Sequence, residues 1–341
     1  MSITRRDLFF LGISTATAAC KRASRRLYVY NWTIYVAPET IPNFEKEFGV
    51  EVRYAEFESN EEMLAKVFTG NSGWDIVFPS NYFIPPMVEN GLLEPLDHAR
   101  LPNLPNLALK TPPWDPQHAH SMPYMIGAAG ILYNPKLMPE PASWAALWDE
   151  RVRGRITMLD DPADTLGATL KKLDLSINTT REAELTRARD ELIRQKPLVR
   201  AYLNAEARDQ VMAGDLMAAH LWTTTAMQAI EEAAHLRFVY PREGYAEYCD
   251  NAVILRESRN IPLAHDFLNY LLRPEVGARI AEFTKTATAN EAAWRLLPPE
   301  LKENQALYPH GEIAARGEYF ATLPAATQQL RDRVWTEVKA A

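Results

Sequence analysis

The chain has 341 residues, 47% of them hydrophobic, and a formal net charge of −7. This is globular composition at a length that allows two domains. The acidic balance argues against a nucleic-acid backbone as main partner and is compatible with a cationic ligand. Two cysteines in unlike contexts, Cys20 and Cys249, argue against a disulfide framework.

The N-terminus reads as an address. Thr4-Arg5-Arg6-Asp7-Leu8-Phe9-Phe10-Leu11 has the form of a twin-arginine export signal, with an apolar run that ends in small residues and is too short to span a bilayer. Thr17-Ala18-Ala19-Cys20 ends it in a lipobox-like pattern, so residues 1–20 are expected to be an export signal and Cys20 a lipidation site. Thr17 stands where leucine is usual, which leaves ordinary cleavage after Ala18 or Ala19 open. No later run has the eighteen or more apolar residues of a membrane span.

Residues 27–32, rich in aromatic and β-branched side chains, predict a buried first strand. Ile41, Phe44 and Phe48 recur at helical spacing before Gly49. Residues 50–57 alternate as a strand, Ser59 with Glu62 forms a capping box, and residues 75–80 predict another strand. Strand and helix alternating in this way are the pattern of a parallel sheet covered by helices. It continues with strands over 126–133, 155–159, 216–222 and 251–255, and with helices from Ser143, over 181–195 and over 263–283, the last interrupted at Arg273-Pro274. Residues 101–123 predict a long Pro-rich surface connection, in which His118 and His120 form an isolated HxH read as a solvated loop rather than a metal site. The last forty residues read as helices separated by Pro298-Pro299, Pro309 and Pro324.

Several stretches taken together resemble a known family. These are Tyr30-Asn31-Trp32-Thr33-Ile34-Tyr35, Glu58-Ser59-Asn60-Glu61, Phe78-Pro79-Ser80-Asn81-Tyr82, Ser143-Trp144 with Leu147-Trp148, and Asn269-Tyr270-Leu271-Leu272-Arg273-Pro274. In this order they resemble the bacterial spermidine/putrescine-binding proteins of ABC importers. The resemblance implies an α/β, periplasmic-binding-protein-like fold of type II: two α/β lobes joined by two crossover strands, with a ligand cleft between them. Lobe one would comprise residues 27–130 and 251–298, and lobe two residues 131–250, with C-terminal helices from 299–341 packed on lobe two. It also implies a periplasmic or extracytoplasmic protein, anchored through Cys20 if that residue is lipidated. Its partners would be a small cationic amine and an inner-membrane permease, with no cofactor and no catalytic step.

An alkylammonium buried between lobes needs paired charge and apolar or aromatic walls. Carried over residue by residue, the resemblance assigns an acidic pair to Asp161 and Asp164 and aromatic walls to Trp222 and Tyr248. It assigns a further acid to Asp250, first-lobe contacts to Trp32, Thr33 and Tyr35, and loop contacts to Ser80 and Tyr82. Asp160, Asp161 and Asp164 lie between a strand and a helix, so at least one of them can be a helix cap. Three positions depart from the family pattern: Ile34 replaces an acid, Thr286 a tyrosine and Phe320 a glutamine. One end of the site therefore reads as intact and the other as apolar, which favours a diamine such as putrescine, or an amine with a less polar tail, over spermidine.

Two other readings stand beside this one. A secreted hydrolase could use Asp161 with Asp250 as a carboxylate pair, although the chain has no GxSxG, HExxH or glycine-rich phosphate loop. The same fold could instead hold an ω-amino acid, another amino acid, an anion or ferric iron; Tyr35, Tyr82 and Tyr248 leave iron open.

Overall fold

The computed structural model of the protein describes residues 25–341. The export signal and Cys20 lie outside the described residues. Among the described residues, no helix is long and apolar enough to cross a membrane.

The chain opens with strand β1 (Arg26–Trp32), helix α1 (Thr40–Phe48), β2 (Glu51–Phe57), α2 (Asn60–Val67), β3 (Ile76–Val77) and α3 (Ile84–Glu89). β1 pairs in parallel with β2 on one side and β3 on the other. Leu27 and Val29 join one apolar cluster and Tyr30 another, so both faces of this sheet are covered, as a parallel sheet requires. α1 seats Phe44 edge-on against Phe267, 4.9 Å between centroids, and ends at Gly49, whose N–H bonds the Glu45 carbonyl. Ser59 caps α2 by accepting the Glu62 N–H, while the Glu62 side chain reaches back to the N–H of Glu58.

β3 is shorter than the predicted 75–80 because Pro79 has no N–H to give at its far end. Asp75 precedes it, bonding the Tyr28 carbonyl and the Leu255 N–H through its backbone while its carboxylate accepts the Tyr28 N–H. The stretch 101–123 departs from the expected surface connection. Leu101 and Leu107 are buried in the core with Leu263 and Phe267, and buried Asp115 accepts three backbone N–H groups and the Ser121 hydroxyl. A carboxylate organising the loop from within lets it be buried without orphaned amides.

Strand β4 (Met122–Tyr133) leads into β5 (Ile156–Met158), α4 (Pro162–Lys172), α5 (Glu182–Gln195), β6 (Val199–Tyr202), α6 (Ala207–Ala213), β7 (Ala218–Trp222), α7 (Thr223–Glu232) and β8 (Arg237–Val239). The predicted helix at Ser143 is a 3-10 turn, Trp144–Trp148, capped by the Ser143 hydroxyl. β9 (Tyr245–Ile254) then returns antiparallel to β4, much longer than the predicted 251–255. It is followed by α8 (Ile261–Leu271) and α9 (Pro274–Thr284), separated at Arg273-Pro274 as the proline predicts, and by the short strands β10 (Ala287–Thr288) and β11 (Gly317–Tyr319).

β4 and β9 tie the two halves together. Met122–Ala128 of β4 pairs with β9, and from Ala129 onward β4 pairs with β7 and β8 instead. β9 in turn reaches β3 through Val253 and Ile254. The sheet order β2-β1-β3-β9-β4-β7-β5-β6 thus runs from one half to the other through these two strands. The C-terminal helix Ala325–Ala340 packs Val334 and Val338 against α4 and α5. Leu301 and Tyr308 touch both the cluster around Ala293 and the core around Leu307, so this connection spans the two halves rather than resting on one.

Two glycines of β4 allow close approach. A Cβ at Gly127 would lie 2.3 Å from the tip of the Tyr248 ring. At Gly130 it would lie 2.4 Å from the Phe238 ring and 2.8 Å from the Val239 carbonyl, which is backbone and cannot swing away. Gly130→Ala should therefore cost about 1–3 kcal/mol through forced separation of β4 and β8. Thermal or urea unfolding would measure this, and an unchanged midpoint would contradict the close packing.

Candidate functional site

The C-terminal ends of β1, β2 and β7, the start of α4 and the middle of β9 converge on one cavity with about 830 Å³ of atom-free space, counting its open mouth. Clefts at strand ends where two halves meet are common ligand sites. All ten residues singled out from the sequence line this cavity: Trp32, Thr33, Tyr35, Ser80, Tyr82, Asp161, Asp164, Trp222, Tyr248 and Asp250. Asp160 does not; it is exposed and ion-paired with Lys339 at 2.7 Å.

Asp250 sits on β9, 2% exposed, with both oxygens held. The Tyr35 hydroxyl donates to Oδ2 and the Ser80 hydroxyl to Oδ1, each at 2.7 Å. Asn60 fixes Ser80 by donating to its Oγ and accepting its N–H, and the Tyr124 hydroxyl fixes the Tyr35 carbonyl. Burial raises the Asp250 carboxyl to about 6, against the opposing pull of the Tyr35 and Ser80 hydroxyls.

Asp161 is the N-cap of α4, its Oδ1 accepting the Asp164 N–H at 2.9 Å. It both caps and faces the cavity, so the two roles foreseen for this segment fall on one residue. Asp164, in the first turn, accepts the Trp222 indole N–H on Oδ2 at 2.8 Å. Its Oδ1 is buried and has no partner. Burial raises Asp164 to about 7, opposed by the Trp222 N–H and reinforced by Asp250. Burial first, and then the charges of Asp164 and Glu61, push Asp161 well above the usual carboxylate range, opposed by the N–H groups at the helix start.

The walls are aromatic. The Trp32 indole N–H is satisfied by the Phe78 carbonyl at 2.8 Å, and the ring packs 4.6 Å from Phe57. Tyr248 lies over Gly127, and Tyr82 packs 5.2 Å from Phe320. Asn81 crosses between the halves, donating to the Phe320 carbonyl at 2.7 Å and accepting the Cys249 N–H. No Lys, Arg or His lines the cavity. Among the described residues, no group of three or more His, Cys, Asp or Glu has the arrangement of a metal site.

The three departures from the family pattern fall differently. Phe320 is buried and forms part of the wall. Ile34 sits at the rim, 44% exposed, with φ +54°. Thr286 does not reach the cavity; its hydroxyl donates to that of Thr224, which does. Sequence reasoning missed Glu58, Asn204 and the hydroxyls of Thr224 and Thr225. The run Thr223-Thr224-Thr225 directly after Trp222 was the available signal, three hydroxyls at a strand end, but such a run also suits an ordinary helix start.

A family model for bacterial extracellular solute-binding proteins matches residues 39–309. The chain is 34% identical to the spermidine/putrescine-binding periplasmic protein of Escherichia coli, covering 93% of this chain and 92% of that one. It is 30% identical to a putrescine/cadaverine-binding protein of Pseudomonas aeruginosa, covering 98% and 99%. Among solved structures, the spermidine/putrescine ABC transporter substrate-binding protein PotD of Streptococcus pneumoniae superposes with a TM-score of 0.81 at 31% identity, covering 93% of this chain and 99% of that one. These matches carry the type II periplasmic-binding fold expected from the sequence, and the chain belongs to the bacterial extracellular solute-binding protein family.

Proposed function

We propose that this protein is the extracytoplasmic substrate-binding component of an ABC importer and that it captures a polyamine, a short diamine in preference to spermidine. One observation carries the reading: three carboxylates, each at least nine-tenths buried, line an aromatic cavity that contains no cationic side chain. Buried charge is tolerated when paired, and here the protein supplies only one sign. An ammonium supplies the other, and the faces of Trp32, Trp222 and Tyr248 suit both its charge and its methylenes. Phe320, buried in the cavity wall, presents apolar surface that offers no partner to a further charged amine of a longer polyamine.

The mechanism has no chemical step. Lobe one, residues 27–130 and 251–298, and lobe two, residues 131–250, move about β4 and β9. The ligand shifts the population toward the closed form by its extra contacts there, with Asp250 and Trp32 on one side and Asp161, Asp164 and Trp222 on the other. The closed form delivers the amine to an inner-membrane permease, and a lipid on Cys20 keeps the protein near it. The protein works in the periplasm, as the names of its relatives support.

Asp250→Asn preserves the shape held by Tyr35 and Ser80 but removes the charge. Putrescine affinity should fall about 100-fold or more, since an uncompensated buried ion costs about 3–5 kcal/mol. Calorimetry on a variant that melts like the unaltered protein tests this, and unchanged affinity would refute the assignment of Asp250.

The raised carboxyls also predict a pH signature. A folded-state value above the unfolded one means that the native state holds the extra proton. The associated stability is fully present below the unfolded value near 3.8 and is lost as pH rises through about 6 for Asp250 and about 7 for Asp164. The ligand-free protein should lose this contribution between about pH 4 and pH 7. An amine, charged throughout that range, binds the ionised acids, so the melting shift produced by putrescine should grow over the same interval. A shift constant from about pH 4 to pH 7 would contradict this.

A further inference from the structure

The three buried acids stand at the inner end of the cavity. A fourth carboxylate lines it from a different position. Glu58 directly follows Phe57, the last residue of β2, and is solvent-exposed. The register of β1 and β2 sets Trp32 opposite Phe57, and the Thr33 N–H donates to the Phe57 carbonyl at 3.3 Å, so Glu58 lies beside the rim residues Thr33 and Ile34.

Its neighbours are occupied otherwise. Glu56 accepts the Ile34 N–H, and Glu62 accepts the Glu58 N–H and pairs with Lys66. Among the described residues, the Glu58 carboxylate itself has no hydrogen-bond or ion-pair partner. Deep in the same cavity, Asp164 Oδ1 is likewise unpartnered, on a residue only 4% exposed. The cavity thus has anionic groups without protein partners at two depths, one buried and one exposed. The rings of Trp32 and Phe57 adjoin the outer one.

Resting on the amine reading above, we propose that the ligand is an α,ω-diamine bound end-on. One ammonium is buried among Asp161, Asp164 and Asp250, and the second is held at the mouth by Glu58, which thereby discriminates diamines from monoamines. The inner contact is desolvated and supplies most of the affinity. The outer one is a solvated ion pair, weaker and sensitive to salt.

The test compares 1,4-diaminobutane with 1-aminobutane by calorimetry on the unaltered protein, Glu58→Gln and Glu89→Gln. Glu89 is an exposed control of equal charge at the end of α3, outside the cavity lining. Glu58→Gln should lower the diamine-to-monoamine affinity ratio by roughly two- to fivefold, the effect of one exposed ion pair, and leave monoamine binding nearly unchanged. Glu89→Gln should leave the ratio alone. High salt should lower the ratio in the unaltered protein and not in Glu58→Gln.

An unaltered ratio in Glu58→Gln, or an equal drop in both variants, would overturn the role of Glu58 and leave the amine reading standing. Failure of the unaltered protein to bind either amine would remove the amine reading itself and this inference with it.

Discussion

Negative charge buried without a cationic side chain is the constraint on which the rest of the site depends. Asp161, Asp164 and Asp250 are each buried and face space that no basic side chain enters. In a folded protein such charge is ordinarily paired or neutralised by a proton. Burial draws all three carboxyls above the usual carboxylate range, which favours the proton-bound form in the absence of a cation. A cation that enters replaces both the protons and the missing partner.

Keeping such a site in shape calls for donors that do not themselves neutralise it. The protein uses hydroxyls, an indole and a helix start. Tyr35 and Ser80 hold Asp250, Trp222 holds Asp164, and the first amides of α4 hold Asp161. Each donor is fixed in turn, Ser80 by Asn60 and the Tyr35 backbone by Tyr124. The carboxylates are thus oriented before a ligand arrives, which lowers the ordering cost of binding. A lysine or arginine in place of any of these donors would occupy the position that the ligand's charge must take.

Under the proposed mechanism, the same geometry links ligand to lobe movement. Asp250 lies on β9, one of the two strands shared by both halves, while Asp161 and Asp164 open α4 on the far side. Asn81 and Tyr82 meet the Phe320 segment across the cleft. A ligand that touches acids from both sides stabilises the arrangement in which the halves meet, because only that arrangement offers all of its contacts.

Much of this was legible in the linear chain. The periodicity of residues 27–57, the Ser59 cap and the Arg273-Pro274 break are local signals, set by backbone chemistry and by patterns that need no partner. The ten cavity-lining residues were also reachable, because the local motifs that carry them resemble a known family, although Tyr248 and Asp250 lie within β9 rather than at a strand end. What the sequence could not determine depends on neighbours far away in the chain. β9 read as five residues because Glu247 and Asp250 interrupt its apolar pattern, and only pairing with β4 extends it to Tyr245. Asp115 read as part of a surface loop because its backbone partners become visible only when the loop closes on itself. Thr286 read as a pocket position, yet a single intervening side chain, Thr224, keeps it from the cavity. Glu58 passed unnoticed because its place at the mouth follows from the register of two strands about twenty-five residues apart, and register is decided by packing rather than by residue type.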